Sequence, residues 1–146
     1  MTPNSREVNW FPSVAILTEA SRDVGTGHVF ESYALLRAAQ KRGLLADLWV
    51  NQDASAGLLE SAPCSPHLTL DFIPSSMDII AGNLLRQGIS LAVTNFRRII
   101  NEQVMCLQNR GIQVVCIDEL GNIEWLDAIF NGIYSHIMYE KNYYDY

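Results

Sequence analysis

Residues 13–50, SVAILTEASRDVGTGHVFESYALLRAAQKRGLLADLWV, read as a strand, a glycine turn, an amphipathic helix and a second strand in direct succession. Residues 13–18 form an apolar run around Val14 and Ile16, long enough for a strand and too short for a helix. Gly25 and Gly27 then break the chain just before His28. From His28 to Arg42 the period becomes helical. Val29, Ser32, Tyr33, Leu36 and Ala39 share one face, with Glu31, Lys41 and Arg42 on the other. Gly43 follows in the position where helices commonly stop.

The same grammar repeats downstream. A second strand is expected at 46–50, ending at Asn51, and a short helix at 54–61 with Leu58 and Leu59 inward. Pro63 and Pro66 bracket a loop before a weakly alternating third strand at 67–72. Pro74, Ser75 and Ser76 supply start signals for a helix through Gln87. A fourth strand at 89–94 and a helix from about Arg98 to Arg110 follow, the latter carrying Ile100, Val104 and Leu107 on one stripe. A fifth strand at 112–117 runs into Asp118 and Glu119. A short helical turn at 123–126 and an edge-like sixth strand within 128–134 complete the pattern. Residues 1–12 are expected to be a leader, with Trp10 and Phe11 folding back on the edge of a single domain spanning 13–146.

Three helices end in a basic–polar pair and glycine, each followed at once by an apolar strand. The three are Lys41-Arg42-Gly43, Arg86-Gln87-Gly88 and Asn109-Arg110-Gly111. Cations favour the negative end of a helix, and glycine tolerates the left-handed residue beyond it. Strands that are apolar throughout and alternate with helices imply a parallel sheet covered on both faces. Right-handed crossovers then give a doubly wound α/β sheet of order 3-2-1-4-5 with strand one central.

Composition excludes several classes of partner. Of 146 residues 49% are apolar, enough for one core, and the net charge of −6 comes without a basic block. A nucleic-acid partner is therefore not expected. No apolar run approaches the roughly 20 residues that span a bilayer, and the first twelve residues lack the apolar core of a signal peptide. Cys64, Cys106 and Cys116 are odd in number and form no CxxC, which suits free thiols in a reducing compartment and a cytoplasmic domain.

In such a sheet, ligands bind beyond the carboxyl ends of the strands near the switch point. The chain is polar there: Glu19 to His28 after strand one, Asn51 after two, Asn95 after four, Asp118 and Glu119 after five. His28 opens a helix directly after two glycines. The positive helix end disfavours imidazolium, leaving a neutral ring that can accept a proton as a general base. The same position also suits a histidine that only caps the helix or bonds a nearby loop. GTGHVF lacks the third glycine of a dinucleotide fingerprint, since Phe30 stands there, and it is not a P-loop because no Gly-Lys-Ser/Thr follows. A plain tight turn fits equally. His67 and His136 have no spacing that joins them to cysteines as metal ligands, so surface positions are expected and no metal site. Asp118 and Glu119 can bind a sugar hydroxyl, orient His28, or cap a turn. Arg97 and Arg98 can meet a phosphate or open a helix in solvent, and Tyr139, Tyr143, Tyr144 and Tyr146 can form an interface or mark where the chain leaves the domain.

At these residues the chain resembles a known family. AILTEASRDVGTGHVFESYALLRAAQKRG is similar to the opening of the PseG-like proteins, UDP-sugar hydrolases of pseudaminic acid synthesis with related glycosyltransferases of spore-coat polysaccharide pathways. ISLAVTNFRRIINEQVMCLQNRGIQVVCIDELGN resembles their next block, a strand ending in Asp or Asn, a helix, and a strand ending in an acidic pair with Leu-Gly. DAIFNGIY resembles the segment after that. The three blocks cover most of residues 14–134 in the family's order.

The resemblance implies the N-terminal half of a GT-B protein: a Rossmann-like, three-layer α/β/α domain with a mainly parallel, doubly wound sheet. It implies a nucleotide-activated sugar, a UDP-sugar, as substrate and no further cofactor. The histidine of the G-x-G-H turn, the base for attack at the anomeric carbon, maps to His28. Gly25, Thr26, Gly27, Asn95, Phe96 and Asp118 become the expected substrate-binding residues. Two positions depart from the pattern: Glu31 stands where the family has Arg, and Phe96 keeps the ring of a Tyr without its hydroxyl. A GT-B nucleotide site lies largely in a C-terminal partner domain, which is not expected within 13–146. The alternative is a catalytically impaired half-domain that serves as a binding or homo-oligomerisation module. A dinucleotide-dependent enzyme is disfavoured by Phe30.

Overall fold

The structure is a computed structural model, and it describes residues 13–21, 27–51, 66–96, 99–117 and, for the backbone, 128–130. Its elements are β1 (Ser13–Thr18), α1 (Gly27–Lys41), β2 (Ala46–Asn51), β3 (His67–Thr69), α2 (Pro74–Arg86), β4 (Ile89–Asn95), α3 (Asn101–Gln108), β5 (Gln113–Ile117) and β6 (Ala128–Phe130). The strands form one parallel sheet of order β3-β2-β1-β4-β5-β6. The expected order is thus present, with β6 added beside β5.

Alternation along the strands divides the interior into two cores, because successive side chains leave a strand on opposite faces. Val14 and Ile16 of β1 join Leu48 and Val50 of β2 beneath Val29 and Leu36 of α1. Ala15 and Leu17 face the other way, onto Met77, Ile80 and Leu84 of α2 and Val104 and Leu107 of α3. Helices therefore cover both faces, giving a three-layer Rossmann-like domain with β1 and β4 at its centre. Ile16 and Leu17 are 1% and 0% exposed. Burying a side chain of that size contributes about 1.5–3 kcal/mol, so the doubly apolar central strand anchors both layers.

Each helix is stopped as its glycine requires. Gly43, Gly88 and Gly111 have φ of +79°, +75° and +81°. Beyond α1, the Leu44 amide donates to Ala39 at 3.1 Å, and beyond α3 the Ile112 amide donates to Leu107 at 3.1 Å. These are the six-to-one bonds of Schellman turns, which reverse the chain into the next strand within two residues.

β3 and α3 are shorter than the sequence expectation, while α2 begins at Pro74 as expected. β3 ends at Thr69 rather than at residue 72. The chain turns out of the sheet there, the Ile73 amide donating to the Asp71 carbonyl at 2.8 Å just ahead of Pro74. α2 is entered from extended Ile73 (φ −104°, ψ 154°), with Pro74 at the start, so Ser75 and Ser76 lie in the first turn and do not cap it. α3 spans Asn101–Gln108, shorter than 98–110. Ile100 is extended (φ −121°, ψ 158°) and its amide donates to the Gln103 side chain at 2.8 Å, which fixes the helix start. The Gln103 amide group in turn donates to the Phe72 carbonyl, tying α3 to the chain before α2.

Arg110 does more than complement the end of its helix. Its Nε and Nη2 donate to the two carboxylate oxygens of Asp78 on α2, at 2.9 and 2.7 Å. The bond from the guanidinium holds the Asp78 carboxyl below the usual carboxylate range. Cys106 lies on α3, and Cys116 is buried on β5 with its Sγ 2.8 Å from Thr94 Oγ1. No helix among the described residues is long and apolar enough to cross a membrane. Trp10, Phe11, the short helices expected at 54–61 and 123–126, Cys64, Arg97, Arg98, His136 and the C-terminal tyrosines lie outside the described residues.

Candidate functional site at the carboxyl edge of β4

The last residue of β4, Asn95, is 1% exposed and faces α1. Alternation along β4 puts Leu91 and Val93 on the α1 side, and Asn95 continues that row. Three residues of the first α1 turns meet it, His28, Glu31 and Ser32, which helical spacing gathers on one patch at i, i+3 and i+4.

Asn95 Nδ2 lies 3.2 Å from the His28 carbonyl, 3.3 Å from Glu31 Oε2 and 3.1 Å from Ser32 Oγ. Asn95 Oδ1 lies 3.0 Å from His28 Nδ1. The Asn95 carbonyl accepts from Thr18 Oγ1 at 3.3 Å, which joins the ends of β4 and β1. The Asn95 side chain is thus shared between the strand edge and α1, and no part of its amide is left idle.

This network assigns the histidine proton. The carboxylate of Glu31 and the carbonyl of His28 are acceptors, so they select the NH₂ edge of the Asn95 amide. Its Oδ1 is then directed at His28 Nδ1, which must carry a hydrogen to donate. In the neutral ring the remaining lone pair sits on Nε2. The His28 side chain is 27% exposed, and Glu31 Oε2 stands 3.9 Å from its Nδ1. Such a ring can accept a proton at Nε2 while Nδ1 stays bonded.

A second polar knot lies at the end of β2. Asn51 is buried, accepts from the Ala20 amide at 2.8 Å and donates to the Ala20 carbonyl at 3.0 Å. It also donates to Asp71 Oδ1 at 3.3 Å. One amide therefore pins the segment after β1, the end of β2 and the segment after β3 along the same edge. Further along β2 and β3, the Trp49 and His67 rings stack at 4.8 Å, and His67 Nε2 lies 3.8 Å from Asp47.

Of the expected site residues, His28 and Asn95 are brought together. Gly27 is the first residue of α1. Phe96 turns to the opposite face, where it is 7% exposed and its ring lies 4.7 Å from that of Phe72 in the core under α2 and α3. Gly25, Thr26 and Asp118 lie outside the described residues. The sequence names Asn51 at the polar edge, whereas Ser32 and Thr18 are polar partners it does not single out. For Ser32 the available signal was its i+4 spacing from His28, which puts both over the same strand end. Among the described residues no cluster of three His, Cys, Asp or Glu side chains could hold a metal ion.

Comparison with known proteins adds a fold likeness. No protein-family model matches the chain, and no curated protein matches its sequence. Among solved structures, the MurG of Acinetobacter baumannii superposes with a TM-score of 0.55 at 13% sequence identity. The likeness covers 73% of this chain and 35% of that one, so the chain spans about a third of the length of that protein. At this identity the likeness concerns the fold alone, and that fold is a Rossmann-like α/β arrangement.

Proposed function

We propose that this chain is the N-terminal half of an enzyme acting on a nucleotide-activated sugar, with His28 as general base. The class is a UDP-sugar hydrolase or glycosyltransferase of surface polysaccharide or sugar biosynthesis, working in the cytoplasm. The carrying observation is the 3.0 Å contact between His28 Nδ1 and Asn95 Oδ1 at the carboxyl edge of the sheet. The GT-B fold of MurG supports a nucleotide-sugar donor, and its greater length supports a second domain that holds the nucleotide.

In this reading the oxygen of a water or an acceptor hydroxyl attacks the anomeric carbon while His28 Nε2 takes its proton. The bond from that carbon to the diphosphate oxygen breaks, and its electron pair leaves with UDP. Asn95 keeps the ring oriented through Nδ1. Gly25, Thr26, Gly27 and Asp118 are assigned to substrate binding in the same reading, and Phe96 packs in the core beneath the strand edge.

The protein, in the length its reading frame encodes, is incubated with a panel of UDP-sugars and UDP release is followed. Wild type should release UDP, and His28→Ala should lower turnover by about 10²–10⁴-fold, the usual contribution of a general base. Circular dichroism should be unchanged, since a partly exposed side chain with one hydrogen bond to the fold is removed. Turnover that survives in His28→Ala, or no release by wild type from any sugar tested, would sink the proposal.

A further inference from the structure

We infer that Glu31 is a positioning residue that sets the tautomer of His28 through the Asn95 amide. The inference rests on the reading of His28 as a base only for its consequence.

The amide of Asn95 can lie in two orientations of nearly the same shape, differing in which end meets His28 Nδ1. With Oδ1 toward the ring, Nδ1 must donate and the lone pair falls on Nε2. With Nδ2 toward the ring, Nδ1 must accept, the hydrogen moves to Nε2, and the ring loses its basic nitrogen on the far side. The groups on the other edge of the amide decide between them. Ser32 Oγ both donates and accepts, so it satisfies either orientation. The His28 carbonyl at 3.2 Å and Glu31 Oε2 at 3.3 Å only accept. Of these, only Glu31 is a side chain that substitution can change, and its bond is charge-assisted and hence the stronger.

The carboxylate has a further consequence. Asn95 has an NH₂ edge with which to meet Glu31, whereas an aspartate there would set two carboxylates against each other. Glu31 and Asn95 are therefore matched: the acceptor on the helix requires an amide on the strand. The residue is also free to vary without loss of the fold, since its side chain is 46% exposed.

The readout is the ¹⁵N spectrum of the His28 ring at a pH where it is neutral, in the protein without substrate. Wild type should be predominantly Nδ1–H. Glu31→Gln, which keeps an acceptor oxygen at the same reach, should remain so. Glu31→Lys presents only donors to the amide, and should move the tautomer ratio at least about tenfold toward Nε2–H, the effect of losing one charge-assisted bond and facing a donor instead. A backbone amide spectrum that superposes on wild type confirms that the variant is folded. A wild-type ring that is mainly Nε2–H, or a ratio unmoved in Glu31→Lys, overturns the inference. These results are separable from the fate of the proposed function: turnover that does not need His28 sinks the base and leaves the tautomer argument intact, and an unmoved tautomer does the reverse.

Discussion

The Nδ1 of His28 and the Oδ1 of Asn95 stand 3.0 Å apart although 67 residues separate them in the chain. That contact joins the first turn of α1 to the end of β4, the two elements flanking the switch point of the sheet. The Asn95 side chain is also the partner of Glu31 and Ser32. Replacing it by Ala removes both halves of a buried amide and leaves several groups without their partner. Asn95→Ala should destabilise the protein by about 2–4 kcal/mol, the range for breaking a buried polar network. Urea unfolding measures it, and a loss under about 0.5 kcal/mol would show the network to be slack.

Glycine-to-alanine substitutions should have opposite signs at different positions. Gly111 has φ +81° and nothing within 4 Å of where a Cβ would stand, so its penalty is conformational alone. Gly111→Ala should cost about 1–2 kcal/mol. Gly82, inside α2, also has open space around a Cβ but has no positive φ. There, alanine restricts the unfolded chain without strain, and Gly82→Ala should stabilise by about 0.5–1 kcal/mol. Thermal unfolding of the pair decides it: equal signs would contradict the assigned backbone.

These glycines also explain how much of the fold was legible in the sequence. A left-handed stop after each helix and two-faced apolar strands are local features, written in adjacent residues, and together they determine a parallel sheet and its order. Other features depend on side chains distant in sequence. β3 stops at Thr69 because the next residues turn toward Pro74 and Asp71 meets Asn51, twenty residues away. α3 starts late because Gln103 reaches back to the Ile100 amide, a partner no hydrophobic period reports. For the site, strand-end polarity and the glycine turn pointed to His28 and Asn95. Glu31 was placed on the outer face by helical periodicity, yet it sits at the margin of that face, close enough for its carboxylate to meet Asn95. Phe96 follows Asn95 by one residue, and alternation alone sends it to the other core.

Asn51 provides a test of how the edge is held. Its amide makes a two-way pair with the backbone of Ala20, much as a neighbouring strand would, and reaches Asp71 as well. Asn51→Ala leaves the Ala20 amide and carbonyl unpaired in a buried setting. A loss of about 2–4 kcal/mol is expected. Hydrogen exchange should show a local effect too, with the Ala20 amide exchanging faster than others of comparable burial. Asn51→Asp keeps an acceptor for that amide but fails the carbonyl and sets a second carboxylate against Asp71, so the Ala20 amide should exchange at a rate between those of wild type and Asn51→Ala. Equal exchange at Ala20 in all three proteins would show that the pairing does not hold the segment.

The Asp78–Arg110 pair gives stability a predictable acid dependence. The guanidinium lowers the Asp78 carboxyl in the folded chain relative to the unfolded chain, where no partner holds it. A depressed carboxyl contributes stability that is fully present above its unfolded value, about 3.9, and is lost as pH falls through the lower, folded value. Both groups are exposed on the surface, so the contribution is screened by salt. Wild type should therefore lose stability between about pH 5 and pH 2 more steeply than Asp78→Asn. The gap between the two should be largest at neutral pH and low salt, and should narrow in about 1 M salt, where the screening length falls to about 3 Å. Urea midpoints across that pH range measure it. A gap that is flat in pH would assign the difference to side-chain packing and dismiss the charge as its origin.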